Sequence, residues 1–139
     1  MLYVTRRAIF SASHRLNNEN LSEEENKEIF DKCNNYHGHG HNYTLEVVVA
    51  GEVNPVTGYV IDLKVLKSII EENVISKLDH KHLNHDVDFM KGINPTAENI
   101  TVAIWDRLNG KINEGKLYSV KLYETENNYV EYRGEANEF

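Results

Sequence analysis

The chain has 139 residues, of which 22 are Asp or Glu and 15 are Lys or Arg, so its formal net charge is −7 at pH 7. This acidic balance argues against a nucleic-acid-binding protein, because affinity for the phosphate backbone depends on an excess of basic side chains. The longest apolar run, residues 47–50, is far shorter than a membrane-spanning helix requires. The composition therefore predicts a globular protein without a membrane segment, folded as one domain over residues 1–139.

The only cysteine, Cys33, excludes an intramolecular disulfide, and the first residues lack the apolar stretch of a signal peptide. A chain without disulfides fits a reducing compartment. We therefore expect a cytoplasmic protein.

The N-terminal part predicts two strands joined through a helical insertion. Residues 2–13 are rich in β-branched and aromatic side chains, which is typical of a strand. Ser22 with Glu25 three residues later has the pattern of a capping box, which predicts a helix from there to about Phe30. Residues 41–52 predict the clearest strand, because four apolar side chains alternate onto one face: Tyr43, Leu45, Val47 and Val49.

Two helices follow in the sequence. Asp62 is a suitable N-cap for a helix to about Leu78, and Pro95 with Thr96 begins a second helix. Each helix has an apolar stripe at helical spacing, formed by Leu63, Leu66, Ile70 and Val74 in the first and by Ala97, Ile100, Ile104 and Leu108 in the second.

The last two predicted strands are residues 116–124 and 128–133. The order strand, strand, helix, helix, strand, strand indicates an α+β fold, in which a four-stranded antiparallel sheet carries both helices on one face. Such a sheet leaves two edges unpaired, so we expect the protein to oligomerise through its sheet.

Four of the seven histidines are His14, His37, His39 and His41. His39 and His41 project on the same face where a strand begins, and His14 ends the strand before it, so a hairpin brings the three imidazoles together. Three histidine ligands with an open fourth position are typical of catalytic zinc. The spacing also allows His37 with His39 as the pair, so it does not choose the register.

The thiol of Cys33 has polar neighbours, which argues against a core position. A thiolate near a bound metal is a candidate base or nucleophile. Asp79 and His80 follow the end of a predicted helix, where they either cap that helix or form an Asp–His pair that polarises a thiol.

Glu124 lies in line with Tyr118, Val120 and Leu122 on what the alternation predicts to be the inward face of a strand. An inward carboxylate is costly unless something pairs with it. Glu124 is therefore either bridged to a cation or reserved for a ligand with paired N–H donors.

Six short motifs occur in one order along the chain: residues 10–16 (FSASHRL), 33–35 (CNN), 39–43 (HGHNY), 78–81 (LDHK), 96–99 (TAEN) and 123–125 (YET). Together they resemble the 6-pyruvoyl tetrahydropterin synthase family almost from end to end. The resemblance implies the tunnelling fold, in which subunits form a barrel of sheets around a tunnel, usually as a hexamer of two trimers. It also implies a lyase that converts 7,8-dihydroneopterin triphosphate to 6-pyruvoyl tetrahydropterin with loss of triphosphate.

The family pattern, carried over by position, makes His14, His39 and His41 the ligands of Zn²⁺. Tyr43, two residues after the last of them, selects this register. His37 is then a departure, since the family branch with Cys-Asn-Asn normally has another residue there.

The same pattern makes Cys33 the general base, assisted by Asp79 and His80. Glu124 becomes the anchor of the pterin ring, which is also held by the segment formed by Thr96, Ala97 and Glu98. Ala97 is a second departure, because relatives often have another Thr at that position. Arg15, Lys32 and Lys81 are candidates for steering the triphosphate, and the sequence does not choose among them.

Two other functions remain open. The first is 6-carboxytetrahydropterin synthase of the queuosine pathway, which is similar in fold, zinc site and substrate. In that branch a Cys commonly precedes the first His of the pair by four residues, a spacing that Cys33 and His37 also have. The second is a zinc- or pterin-binding protein without turnover.

Overall fold

Five strands form one sheet in the computed structural model, which describes residues 1–135 and leaves 136–139 of the predicted domain outside the described residues. The strands are β1 (Leu2–His14), β2 (His39–Gly51), β3 (Lys81–His82), β4 (Lys116–Thr125) and β5 (Asn128–Tyr132). Their spatial order is β3-β1-β2-β4-β5.

The four long strands pair antiparallel, and the two-residue strand β3 pairs parallel to β1. The α+β fold is as predicted, but the sheet has five strands and is mixed, whereas the sequence predicts four antiparallel strands. The additional strand forms because backbone groups at its start bind β1: the His80 N–H donates to the Ser11 carbonyl at 2.6 Å. A pairing of two residues leaves no alternation in the sequence to reveal it.

The helices are α1 (Glu23–Phe30), α2 (Leu63–Ile70), α3 (Ser76–Leu78) and α4 (Ala97–Leu108). Ser22 caps α1 in a reciprocal capping box with Glu25, and Asp62 and Thr96 cap α2 and α4. A π-helical turn, Glu71–Ile75, joins α2 to α3, so the helix predicted from Asp62 to Leu78 is one helical run with a wider turn inside it.

The core lies between one face of the sheet and the helices. Tyr43, Leu45, Val47 and Val49, which the sequence places on one face of β2, are all fully buried. The helical stripes are buried at Leu66, Ile70, Val74, Ile100, Ile104 and Leu108, whereas Leu63, predicted to join them, is exposed. Within residues 1–135, none of the helices is both long and apolar enough to span a membrane.

A bulge in β4 changes which side chains face the core. Val48 pairs with Ser119 and Val49 with Leu117, so Tyr118 is the extra residue in β4. The bulge turns Tyr118 toward Tyr3, with ring centroids 4.7 Å apart, and places Leu117 inward. The prediction that Tyr118 lies in line with Val120 is therefore wrong, because simple alternation does not survive a bulge.

Candidate active site

Three imidazoles meet where β1 ends and β2 begins. His14 pairs with His39 across the hairpin, and Ala12 pairs with His41, so alternation puts the three histidine side chains on one face. Their potential ligand atoms all lie within 4.8 Å of one another. His14 is fully buried and the other two are partly buried.

The inner end of this cluster is held by a backbone carbonyl. The His14 Nδ1–H donates to the Pro95 oxygen at 2.7 Å, just before α4, which leaves the lone pair of Nε2 free. The hydroxyl of buried Tyr43 lies 3.4 Å from the same Nδ1. The sequence analysis did not find Pro95 as a partner, because a carbonyl contact has no side-chain signal.

The donor set fits a metal ion. Among the described residues, three buried ring nitrogens have no hydrogen-bond partner: His14 Nε2, His39 Nδ1 and His41 Nε2. Burial lowers the pKa of His14 and of His41, which favours the neutral imidazole that a metal requires. Neutral imidazole is a ligand for several divalent transition metals, zinc among them.

Glu124 approaches the cluster from β4. Its Oε1 lies 3.6 Å from His41 Nε2, and its carboxylate partly opposes the effect of burial on the pKa of His41. Its side chain is about 29% exposed, and in the part of the chain that the structure describes no Lys or Arg pairs with it. The carboxylate is therefore free to accept from a ligand.

Cys33 lies in a 3₁₀ turn, Asp31–Asn34, that follows α1. The Leu16 N–H donates to the Cys33 carbonyl at 2.8 Å, which anchors this turn to the segment just after His14. Burial raises the pKa of the Cys33 thiol, and the nearby charges of Glu124 and Asp31 raise it further. These surroundings within the chain therefore favour the protonated thiol over the thiolate.

Asp79 and His80 form a pair at the edge of the sheet. Asp79 Oδ2 lies 3.0 Å from His80 Nδ1, and Asp79 Oδ1 accepts from the Ser11 N–H at 2.9 Å. The Ser11 N–H lowers the pKa of the Asp79 carboxyl, and His80 adds to this effect. The His80 side chain is 83% exposed and has a left-handed backbone, with φ of 61°.

The pair does not join the three imidazoles. Of the pair, only His80 lines the surface groove of about 510 Å³, which Ser11, Ser13 and Asn42 also line. Ser11 and Ser13 alternate with Ala12 and His14 along β1, so their side chains lie on the sheet face opposite the imidazoles. No hydrogen bond links the pair to Cys33 within residues 1–135.

The segment Thr96, Ala97 and Glu98 forms the start of α4, directly after Pro95. The Thr96 hydroxyl accepts from the Asn99 N–H at 3.2 Å, so it caps the helix. Glu98 is exposed, and Thr96 and Ala97 are half-buried. His37 is exposed and is not part of the imidazole cluster.

The chain is similar in sequence and structure to known proteins of one family. Residues 3–135 match the family model described as 6-pyruvoyl tetrahydropterin synthase. The chain is 52% identical over 132 residues to human 6-pyruvoyl tetrahydrobiopterin synthase, covering 95% of this chain and 91% of that protein. The structure of Caenorhabditis elegans 6-pyruvoyl tetrahydropterin synthase superposes with a TM-score of 0.91 at 42% identity, covering 96% and 95% of the two chains. The 6-carboxy-5,6,7,8-tetrahydropterin synthase of Rickettsia typhi is 29% identical over 150 residues, covering 94% and 99%.

Proposed function

The chain belongs to the 6-pyruvoyl tetrahydropterin synthase family, and from this premise we propose that it is a lyase that converts 7,8-dihydroneopterin triphosphate to 6-pyruvoyl tetrahydropterin and releases triphosphate. The observation that carries the proposal is a cluster of three imidazoles with free ring nitrogens beside the Glu124 carboxylate, with which no Lys or Arg among the described residues pairs, in a chain of this family. The reaction needs no nicotinamide or flavin, because its redox change is internal to the substrate.

His14, His39 and His41 would hold a Zn²⁺ ion through their free ring nitrogens. When bound, this ion supplies Lewis acidity toward the side-chain hydroxyls of the substrate. The Pro95 carbonyl keeps the proton of His14 on Nδ1, so the nitrogen aimed at the cluster stays available.

Glu124 would anchor the pterin ring, because a carboxylate accepts two parallel N–H bonds from the ring N–H and its exocyclic amine. Cys33 would remove a proton from the substrate side chain and return it later as a general acid. Thr96, Ala97 and Glu98 would lie beside the ring at the start of α4.

Asp79 and His80 would assist Cys33, as the family pattern implies. Asp79 is partly buried, whereas His80 is exposed and lines a groove beside Ser11 and Ser13, whose side chains lie on the sheet face opposite the imidazoles. Such a pair reaches a thiol only if another subunit presents it. The proposed assembly is therefore part of the site, and we propose a hexamer of two trimers.

The alternative product is 6-carboxytetrahydropterin. The sequence feature that favours it is the four-residue spacing from Cys33 to His37. Because His37 is exposed and lies outside the imidazole cluster, this spacing does not describe the site. Identity is also lower to the carboxy-forming relative than to the pyruvoyl-forming one.

The deciding experiment is mass spectrometry of the pterin that forms when zinc-loaded protein receives 7,8-dihydroneopterin triphosphate without another cofactor. We expect 6-pyruvoyl tetrahydropterin and one equivalent of triphosphate, and no product from His41→Ala protein. A dominant 6-carboxytetrahydropterin signal with stoichiometric acetaldehyde would assign the alternative. Absence of any product from correctly folded, zinc-loaded protein would leave a binding protein without turnover.

A further inference from the structure

The backbone just after β1 is held by side chains instead of by a neighbouring strand. Four asparagine amides bind residues 15–18, the segment that directly follows His14. Each amide carries a donor and an acceptor, as a peptide group does, so it can replace a missing strand partner. The contacts are Asn84 with the Arg15 N–H (2.8 Å) and carbonyl (2.9 Å), Asn34 with the Leu16 carbonyl (2.8 Å), Asn94 with the Asn17 N–H (3.1 Å), and Asn26 with the Asn18 N–H (2.8 Å) and carbonyl (2.9 Å).

Two of these asparagines adjoin groups of the candidate active site. Asn94 precedes Pro95, whose carbonyl accepts the hydrogen bond from His14. Asn34 follows Cys33 and ends the 3₁₀ turn Asp31–Asn34, which we call the Cys33 turn. Residues 15–18 therefore connect the Cys33 turn to the imidazole cluster through a short stretch of backbone.

Asn34 makes most of the hydrogen bonds between the Cys33 turn and this segment. Its side chain is 7% exposed, and its Nδ2 donates to the Leu16 carbonyl at 2.8 Å and to Asn17 Oδ1 at 2.9 Å. Because a carbonyl oxygen only accepts, the contact with Leu16 fixes which end of the amide is the nitrogen. The Asn34 carbonyl also accepts from Arg15 Nε at 3.2 Å, and the Cys33 carbonyl accepts from the Leu16 N–H at 2.8 Å.

The loop that leads from the Cys33 turn to His39 gives the turn less support. Its residues 35–37 are exposed. The Asn35 N–H donates to the Lys32 carbonyl at 3.3 Å, and the Gly38 N–H donates to the Asn35 carbonyl at 2.8 Å. Both bonds lie within residues 32–38, so they shape the loop without tying it to the imidazole cluster.

We propose that Asn34 is a positioning residue for Cys33, and that its two N–H bonds hold the thiol at the distance from the imidazole cluster that proton transfer requires. Both amide protons are used within the chain, so Asn34 acts through Cys33 and not on the substrate. A displacement of about 1 Å in a reacting group can cost about a hundredfold in rate. The proposal rests on the proposed function, in which the thiol exchanges a proton with the substrate.

The first test is steady-state kinetics of zinc-loaded Asn34→Ala with 7,8-dihydroneopterin triphosphate. We expect kcat to fall about a hundredfold, because the thiol is misplaced. KM should stay within about threefold of wild type, because the imidazoles and Glu124 are untouched. Metal analysis should show unchanged zinc content. A kcat within about threefold of the wild-type value would overturn the proposal.

Asn26→Ala is the matched control for lost stability. Asn26 is 3% exposed, and its amide binds both backbone groups of Asn18. Within residues 1–135 its side chain makes no hydrogen bond to the Cys33 turn. Urea unfolding should show a similar loss of stability in the two variants, whereas kcat of Asn26→Ala should stay near wild type. An equal fall of kcat in both variants would trace the effect to stability and overturn the proposal.

Alkylation by iodoacetamide reports the position of the thiol without turnover. Cys33 is the only cysteine and is partly exposed, so the reagent reports one group. A nearby metal ion lowers the pKa of a thiol and makes it more reactive. We expect zinc to accelerate alkylation of the wild type at pH 7, and to accelerate that of Asn34→Ala by a clearly smaller factor. Asn26→Ala should respond to zinc as the wild type does. An equal zinc effect in wild type and Asn34→Ala would overturn the proposal.

A second variant decides if Asn34→Ala does not fold. Asn17→Ala removes one of the two acceptors of the Asn34 amide, and it leaves the Asn17 N–H bound to Asn94. We expect kcat to fall about fivefold, in keeping with the loss of one hydrogen bond, and the zinc effect on alkylation to shrink. Wild-type values of both quantities in Asn17→Ala would overturn the proposal.

The two kinds of measurement separate this proposal from the function on which it rests. Wild-type protein that forms no pterin product, but whose zinc-dependent alkylation is lost in Asn34→Ala, would support the placement of the thiol by Asn34 and overturn the function. An active enzyme whose Asn34→Ala variant keeps its kcat and its zinc effect would overturn the role of Asn34 and leave the function standing.

Discussion

The thiol of Cys33 lies in surroundings that oppose its ionisation. Burial and the carboxylates of Glu124 and Asp31 all raise its pKa. A base at this position therefore needs a nearby positive charge, from the metal that the imidazoles would hold or from another subunit. This requirement couples the chemistry of Cys33 to the integrity of the whole site.

Replacing Cys33 by Ala should separate binding from catalysis. The three imidazoles and Glu124 are untouched, so zinc content and pterin affinity should match the wild type. Turnover should fall by about two to four orders of magnitude, which is the usual contribution of a general base. Metal analysis, pterin titration and product mass spectrometry measure the three quantities, and turnover within a few-fold of wild type would make Cys33 a bystander.

Replacing Glu124 by Gln should weaken pterin binding and leave zinc content unchanged. The amide presents one acceptor to two N–H donors, so a fully desolvated pair of bonds loses about 1 to 3 kcal/mol. Glu131→Gln is a matched control, since Glu131 lies on the neighbouring strand β5. Fluorescence titration with a pterin measures the change, and equal affinity of wild type and Glu124→Gln would remove Glu124 from the binding site.

At the scale of elements, the site depends on how the ends of secondary structure meet. The hairpin of β1 and β2 sets the three imidazoles, and the start of α4 holds His14 through the Pro95 carbonyl. The edge strand β3 is held to β1 by contacts of Asp79 and His80 with Ser11. A substitution at either junction is therefore expected to change the geometry of the site even when it replaces none of the candidate metal-ligating histidines.

Asp79→Asn should lower stability in a pH-dependent way. The Ser11 N–H lowers the pKa of the Asp79 carboxyl below its ordinary value of 3.8, so the folded protein prefers the carboxylate. The stabilisation is present above that ordinary pKa and is lost as the pH falls through the folded pKa. Because the side chain is 37% exposed, we expect a loss below about 1 kcal/mol at pH 7.

Urea unfolding of the two proteins between pH 7 and pH 3 measures this difference. Asp106→Asn, at an exposed position on α4, is the control and should show little difference at any pH. A gap between wild type and Asp79→Asn that widens toward pH 3 would contradict the assignment.

The sequence predicts the elements that carry a repeating pattern. β-Branched and aromatic residues reveal β1, and alternation reveals β2. The hairpin of these two strands places His14 beside His39, which is why the imidazole cluster is predictable. Capping residues reveal the helix starts at Ser22 and Asp62.

Features without a pattern are not predictable in this way. The strand β3 has two residues, and the bulge at Tyr118 interrupts alternation inside a strand. The contact between His14 and Pro95 involves a carbonyl that every residue has. The face on which Asp79 and His80 lie depends on a tertiary pairing of distant segments.

At the scale of the whole molecule, the sheet of a single chain leaves large apolar side chains and a strand edge exposed. Tyr3 and Ile9 of β1 are 56% and 65% exposed, and Tyr129 of β5 is 53% exposed. The two-residue strand β3 covers β1 only at Ala12 and Ser13, so most of that edge has open backbone groups. The exposed side chains and the open edge are surfaces that the proposed assembly of subunits would cover.

Mixing two inactive variants tests whether the site is shared between subunits. Cys33→Ala lacks the proposed base, and His80→Ala lacks the group proposed to assist it, so each should be nearly inactive alone. If His80 acts on the thiol of a neighbouring subunit, dissociating and reassembling an equal mixture restores about one quarter of the sites, because that fraction combines an intact Cys33 with an intact His80.

A mixture of Cys33→Ala with Cys33→Ser should stay inactive as the control, and mass photometry should show the same oligomer in every sample. Recovery no greater than the sum of the two variants in correctly reassembled protein would place both groups of a working site in one chain. The exposed position of His80 on the opposite sheet face argues for the mixed site.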